Sequence, residues 1–528
     1  MFTRWSLVGD SRRARDADSC THPTDEGEAG RNHPTEPRGV QNADRGSAMM
    51  SRQSGLKILI ALLALVSAAC SGSTDEATAT SLPPSESLTT SSVTTSTDSP
   101  TTAQSTTCTM SEFQPSDPSD WATYGFDESN SRHNRAETRI SPDNVSCLEI
   151  LWRIDDLGGV SGTPVVVDGV VYFGDWNGWL HAVEAETGTV VWEKQLTENA
   201  ITATALVTSD RVFVPDADGF LYARDRATGS AVWTVEVDAQ PAAAILAAPV
   251  FVDGKVIVGV APDSPFPLIT RGSVVAIDAD TGAEAWRVKT ADENSGPGVG
   301  VWSAAAVDRD RRLVFSATGN TTGPPVSPLS DSLVAIDYET GEIVWHNQLN
   351  PDDLSNLDLG ASPNLFTIDG RDVVGVGGKE GWYKVLDRET GVEVWSNTLT
   401  QGGDPAGVMN TAAVGNGTIY VSSIPAGSGD SITFALNSSD GSILWKQSIR
   451  SWTFGSLTLA NGVVFHGTVA GTVYALDADD GTILWSDELP GNFGDGISVA
   501  GGMLFVGHGF SYNFTPSQHG GIVAYSLP

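Results

Sequence analysis

Four side chains of different chemical kinds stand in short motifs in the middle of this chain. They are the indole of Trp302 in Val301-Trp302-Ser303-Ala304, the amide of Asn320 in Ala317-Thr318-Gly319-Asn320, the carboxylate of Asp331 in Ser330-Asp331-Ser332 and the ammonium of Lys379 in Gly378-Lys379-Glu380-Gly381. An indole offers a flat π-surface, an amide oxygen suits a hard cation, a carboxylate takes protons and an ammonium steadies developing negative charge. Each also has an ordinary structural use. Trp302 would pack, Asn320 would accept a left-handed turn, Asp331 would cap a loop and Lys379 would be a solvated charge. Hydrolase chemistry is set aside, because the chain contains neither a Gly-x-Ser-x-Gly elbow nor a His-Glu-x-x-His helix. The run Asp477-Ala478-Asp479-Asp480-Gly481 imitates a calcium loop but lacks an oxygen ligand at its fifth position, and reads as a turn.

The elements that must position these groups come from a repeat. Seven times after residue 180 an apolar strand leads through an acidic Thr-Gly or Asp-Gly turn into a strand ending in tryptophan, as in Leu180 to Trp192 and Val274 to Trp286. The turn glycine always stands four residues before the tryptophan, from Gly188 and Trp192 to Gly481 and Trp485. Each copy divides into four short strands, in the first case Thr163 to Val167, Val170 to Gly174, Trp179 to Val183 and Thr189 to Trp192, which is a propeller blade. Trp152 is an eighth tryptophan of this type with no earlier strands before it, while Ile497 to Val499, Met503 to Gly507 and Gly521 to Tyr525 lack a fourth strand. The two fragments complete one another. The expectation is an all-β, eight-bladed propeller of four-stranded antiparallel blades, closed by an N-terminal strand in the C-terminal blade. The tryptophans are expected to pack between blades, docking on glycine. Spacings of 40 or 41 residues lengthen to 53, 59, 50 and 50 before Trp286, Trp345, Trp395 and Trp445, and the four motifs all fall in those long blades.

The chain has 528 residues, 15 Trp, 56 Gly and a formal charge of −35. That charge repels phosphate, so nucleic acid is excluded as a partner. Residues 49–70 read as an export signal, with Arg52 and Lys57 ahead of the apolar run Ile58 to Val66. Val66-Ser67-Ala68-Ala69-Cys70 resembles a bacterial lipobox, which makes Cys70 the lipidation site and the lipid the only membrane contact; Ser67 departs from the usual aliphatic residue and leaves ordinary secretion as the alternative. Residues 1–48 have no place before a signal and suggest a misassigned start or disordered leader. Residues 71–120, Ser/Thr-rich at their start, are expected to tether a propeller of residues 121–528 outside the cytoplasm. Cys108 and Cys147 remain as an even pair and are expected to form a disulfide, against the alternative of two free thiols.

The repeat Ala276-Ile277-Asp278-Ala279-Asp280-Thr281-Gly282-Ala283-Glu284-Ala285-Trp286 resembles the propeller repeat of the pyrroloquinoline quinone (PQQ) superfamily, which holds quinoprotein alcohol dehydrogenases and cofactor-free scaffolds of the BamB type. The motifs around Trp302, Asn320, Asp331 and Lys379, together with Leu359-Gly360-Ala361-Ser362-Pro363 and the opening Trp121-Ala122-Thr123-Tyr124-Gly125 with Asn130, Arg132 and Asn134, are similar to the polyvinyl-alcohol-type dehydrogenases. That resemblance implies a small or polymeric alcohol as substrate. It would make Trp302 the floor under PQQ, Asn320 a ligand of Ca²⁺, Asp331 the base and Lys379 the charge beside the quinone oxygens. Asp263 is the one residue in Val260 to Pro265 that could replace the family's acidic calcium ligand. The adjacent cysteine pair of several relatives is missing, Asp331 lies closer to its following Thr-Gly than the base of methanol-type members, and no Cys-x-x-Cys-His motif occurs, so electrons would leave to a separate acceptor. The alternative is a cofactor-free binding or assembly scaffold.

Overall fold

The computed structural model describes residues 120–262, 269–511 and 520–528. The expected leader, signal and tether, with Cys70 and Cys108, lie outside the described residues, as does Asp263. Cys147 is disulfide-bonded.

Val- and Tyr-rich runs of about five residues, cut by Gly and Asp, form eight antiparallel blades. Blade 1 comprises Val165–Val167, Val170–Gly174, Trp179–Glu184 and Val190–Gln195, close to the four strands read from sequence. The innermost strands of blades 2 to 7 begin at Leu206, Val250, Ala306, Asn364, Ala413 and Thr458. In blade 8, Phe493–Ala500, Met503–His508 and Gly520–Ser526 pair in turn, and Glu149–Leu157 adds the outer strand. The ring therefore closes as expected, with Trp152 opposite Ala524.

Between blades the tryptophan and glycine of the repeat meet. A Cβ on Gly341 would lie 2.9 Å from Trp286, and one on Gly188, Gly229, Gly282, Gly391, Gly441 or Gly481 would similarly strike the tryptophan of the preceding blade. Gly341 has φ +77°, a left-handed turn conformation that costs other residues about 1–2 kcal/mol. The indole N–H fixes the orientation by donating to a turn carbonyl of the next blade, as Trp286 Nε1 does to Tyr338 O at 2.9 Å. Each such indole contributes at most roughly 4–6 kcal/mol by burial. Trp485, at the closing seam, faces no repeat turn; it packs edge-on to Tyr525 at 5.2 Å and against the Ile140, Val145 and Leu148 cluster.

The opening motif has a different task. Its backbone crosses the inner strands one after another: Val207 N donates to Ala122 O, Val307 N to Glu128 O, Leu365 N to Ser129 O, Val414 N to Ser131 O and Leu459 N to Arg132 O, at 2.7–3.0 Å. Asn130 Nδ2 reaches Ala305 O and Pro363 O, and Asn134 Nδ2 reaches Val499 O. The fully buried Arg132 donates to the carbonyls of Tyr124, Leu457 and Ile497 and to Thr458 Oγ1. Burial lowers its pKa. Asn and Arg recur in the motif because their side-chain N–H groups satisfy buried carbonyls in, or just before, the inner strands.

Candidate functional site

Above this N-terminal segment the connections between blades enclose a cavity of about 660 Å³. One backbone hydrogen bond builds its wall repeatedly. The residue after an inner hairpin donates its N–H to the connection that enters the same blade: Trp176 to Gly159, Ala217 to Ala200, Gly319 to Gly300, Lys379 to Asp358, Ala426 to Gln401, Val469 to Trp452 and Gly509 to Asn492. Of these matched positions, Trp176, Gly319 and Lys379 line the cavity.

In blades 4 and 5 that arrangement assembles a charged constellation. Lys379 N bonds to Asp358 O at 3.0 Å, and Lys379 Nζ reaches Asp358 Oδ2 at 2.6 Å. Asp358 Oδ1 accepts from the backbone N–H of Asn320 at 2.7 Å. The same Nζ lies 5.7 Å from the centroid of the half-buried Trp302 ring and 3.9 Å from Asp404. Gly360, which lies two residues after Asp358 as Trp302 lies two after Gly300, leaves room for the indole: a Cβ there would be 3.2 Å from it. Trp302, Asn320 and Lys379 thus share one wall, with Asp358 at its centre.

Asp331 stands elsewhere. It is fully buried, does not line the cavity, and neither carboxylate oxygen has a hydrogen-bond partner. Its backbone N–H donates to Gly319 O at 3.0 Å, which sets it behind the wall that carries Asp358. Burial pushes its carboxyl up to about 8, aided by the charges of Asp358 and Asp353; among its main influences only Ser330 acts the other way. The carboxylate that stands with Trp302, Asn320 and Lys379 on the cavity wall is therefore Asp358, which sequence reading missed. The signal was available: Leu357-Asp358-Leu359-Gly360 occupies the same place in its blade as Val299-Gly300-Val301-Trp302.

The opposite wall is different in character. Asp495 of blade 8 meets Thr163 and Ser456 hydroxyls, each at 3.4 Å, and burial pushes its carboxyl up to about 6 against the pull of Arg132. Tyr124 joins Ser456 and Thr411 at 2.7 Å. Trp176, Phe510 and Phe454 line the same side, with ring centroids 6.0 and 6.5 Å apart in edge-to-face arrangements.

Trp302, Lys379, the glycine-lined surface and two orphaned hydroxyls, Thr202 Oγ1 and Ser303 Oγ, suit a flat ring bearing hydrogen-bond acceptors. Charge is less accommodating, since among the described residues Asp358, Asp404 and Asp495 line the cavity against Lys379 alone. No three His, Cys, Asp or Glu side chains among the described residues converge as metal ligands. Asn320 and Asp358 supply two oxygen-bearing side chains, short of the six to eight oxygens that Ca²⁺ takes.

Residues 121–401 match the family described as glucose/ethanol/alcohol dehydrogenase, β-propeller domain, and residues 379–527 that described as outer membrane protein assembly factor BamB. Polyvinylalcohol dehydrogenase of Pseudomonas sp is 24% identical over 389 residues, covering 62% of this chain and 59% of that protein. The dehydrogenase subunit of the quinone alcohol dehydrogenase of Komagataeibacter europaeus is 29% identical over 337 residues, 52% of this chain and 45% of its own. The chain thus spans about half of these relatives' length. Among solved structures, quinohemoprotein alcohol dehydrogenase of Comamonas testosteroni superposes with TM-score 0.69 at 21% identity, covering 78% and 80% of the two chains. BamB of Moraxella catarrhalis gives 0.54 at 18%, covering 72% and 99%. The structures show the fold.

Proposed function

We propose a function from one premise, that the chain belongs to the glucose/ethanol/alcohol dehydrogenase β-propeller family: it is a PQQ-dependent dehydrogenase that oxidises an alcohol or polyol. The observation that carries this is the convergence of Trp302, Asn320, Asp358 and Lys379 on one cavity wall. PQQ, when bound, supplies the acceptor for the hydride equivalent leaving the alcohol carbon.

The chain's own residues do the rest. Trp302 gives the ring a flat apolar support. Each Asp358 oxygen engaged in a hydrogen bond keeps a lone pair, so the carboxylate can take the hydroxyl proton as the C–O bond becomes a carbonyl. Lys379 would steady negative charge developing on a bound ring, the more so once Asp358 beside it has taken a proton. Asn320 and Asp358 are the oxygen-bearing side chains this wall could offer Ca²⁺, too few to hold the ion by themselves, so no role in the reaction is assigned to a metal. Asp331 is too enclosed to touch substrate. Export, lipidation at Cys70, a Cys108–Cys147 disulfide and electron transfer to a separate acceptor belong to the same proposal.

A second reading, a cofactor-free scaffold, is favoured by two observations. The cavity's carboxylates outnumber its ammonium, and Ile150, Leu151, Val190, Val191, Val344 and Leu444 are exposed along the outer strands. Titrating purified protein with PQQ and Ca²⁺ while following tryptophan quenching and dye reduction separates the readings. The dehydrogenase predicts saturable quenching, lost in Trp302→Ala, and alcohol-dependent reduction. Absence of saturable binding would leave the scaffold.

A further inference from the structure

We propose that the wall opposite Lys379 is a recognition subsite for the cationic end of an alcohol substrate, so that the preferred substrate carries a substituted ammonium group. Its use in turnover rests on the dehydrogenase reading; its binding does not. Three features converge on this assignment.

The first is charge. Asp358 is held by Lys379 in a buried ion pair, and Asp404 lies 3.9 Å from the same ammonium, so both carboxylates of that wall share a cation. Asp495 has no such partner: among the described residues no cation lies within ion-pair distance of it. The charge of the buried Arg132 acts on Asp495 from nearby, but its N–H groups go to the carbonyls of Tyr124, Leu457 and Ile497 and to the Thr458 hydroxyl, so none of them bonds the carboxylate. The two hydroxyl contacts of Asp495 are long, at 3.4 Å, and a half-buried carboxylate so weakly held retains most of its demand for positive charge.

The second is the lining. Trp176, Phe454 and Phe510 form an edge-to-face cluster bordering the same space. Aromatic rings and a carboxylate lining one cavity suit a bulky, poorly hydrated cation, which ring faces attract and whose alkyl groups find apolar surface there. A neutral polyol could offer this carboxylate hydroxyl hydrogen bonds but neither a compensating charge nor a cation for the rings.

The third is the position of the cluster. Trp176 in blade 1 occupies the place that Lys379 holds in blade 5, each fixed by the same backbone bond to the entering connection. The frame that presents an ammonium to the cavity in blade 5 thus presents an indole to it in blade 1.

The test compares choline with 3,3-dimethylbutan-1-ol, its uncharged isostere, by titration calorimetry of the full chain, first without quinone. Choline is expected to bind saturably and at least about tenfold tighter than the isostere, a difference of about 1.4 kcal/mol. Asp495→Asn and, separately, Phe454→Leu should each remove most of that preference. Phe454→Leu keeps the test decisive should the buried substitution impair folding. Equal affinity for the two alcohols, or undiminished preference in both folded variants, overturns the proposal. Repeating the comparison with PQQ and Ca²⁺ separates the two ideas: choline binding without turnover of any alcohol upholds the subsite and removes the dehydrogenase, whereas turnover of neutral alcohols with no choline preference does the reverse.

Discussion

The rim and the hub of this propeller are built on the same eightfold frame yet treat it in opposite ways. At the rim, seven glycine turns meet seven indoles in one geometry, and side-chain identity hardly varies from blade to blade. At the hub the backbone is equally repetitive, but the residue presented by the equivalent hydrogen bond is Trp176, Ala217, Gly319, Lys379, Ala426, Val469 or Gly509. Repetition at the rim holds the blades together. Variation at the hub is where chemistry can reside, because a fixed backbone presents different functional groups at defined places without refolding anything.

The sharpest test of that contrast lies at the hub. Asp358→Asn should preserve the fold and quinone-induced quenching while lowering turnover about 10³-fold, the scale expected when a positioned base is lost. Stopped-flow reduction of the bound quinone would read it directly. Turnover close to wild type would mean that Asp358 serves only to anchor Lys379. Lys379→Met, which leaves a buried carboxylate without its cation, should lower both turnover and thermal stability. An effect on turnover alone would show that the pair contributes nothing to folding.

At the rim the expected effect is smaller and of another kind. Gly341→Ala should cost about 2–4 kcal/mol, combining a left-handed backbone with a Cβ only 2.9 Å from Trp286, and should leave any ligand affinity of the folded protein unchanged. Denaturant titration measures the first and calorimetry the second. A hub ligand lost along with rim stability would indicate that the two regions are mechanically coupled.

The same division explains what could be read from sequence. Rim residues repeat, so glycine and tryptophan spacing alone specified the blades, the docking surface and the closing strand at Trp152. The opening motif was visible as a pattern, but its use was not, since only the fold shows that Asn130, Arg132 and Asn134 satisfy inner-strand carbonyls. At the hub, Trp302, Asn320 and Lys379 converge because adjacent blades bring equivalent loops together. Asp331 was singled out for its motif, and the structure puts it behind the wall; Asp358 was passed over because the motif beside it was read only from Leu359 onward. A carboxylate's reach depends on which side of a loop it faces, and linear spacing does not encode that.

Asp331 supplies the smallest effect and the finest discrimination. Its carboxyl is raised to about 8 when folded and returns to about 3.8 on unfolding, so between those values the folded state holds a proton that the unfolded state releases. Stability therefore falls as pH rises from about 4 to 8, by at most about 1.4 kcal/mol per unit, and is unaffected by this group below about 4. Asp331→Asn keeps the shape and abolishes the titration. The variant should match wild type near pH 4 and exceed it by roughly 1–2 kcal/mol at pH 7, where water penetration and relaxation reduce the ideal value. Chemical denaturation at a series of pH values would show the two curves diverging upward in pH, while turnover remains near wild type because Asp331 does not reach the cavity. If Asp331→Asn instead abolishes turnover with stability unchanged, the proton acceptor is the buried carboxyl after all, and the wall presented by Asp358 serves only to bind.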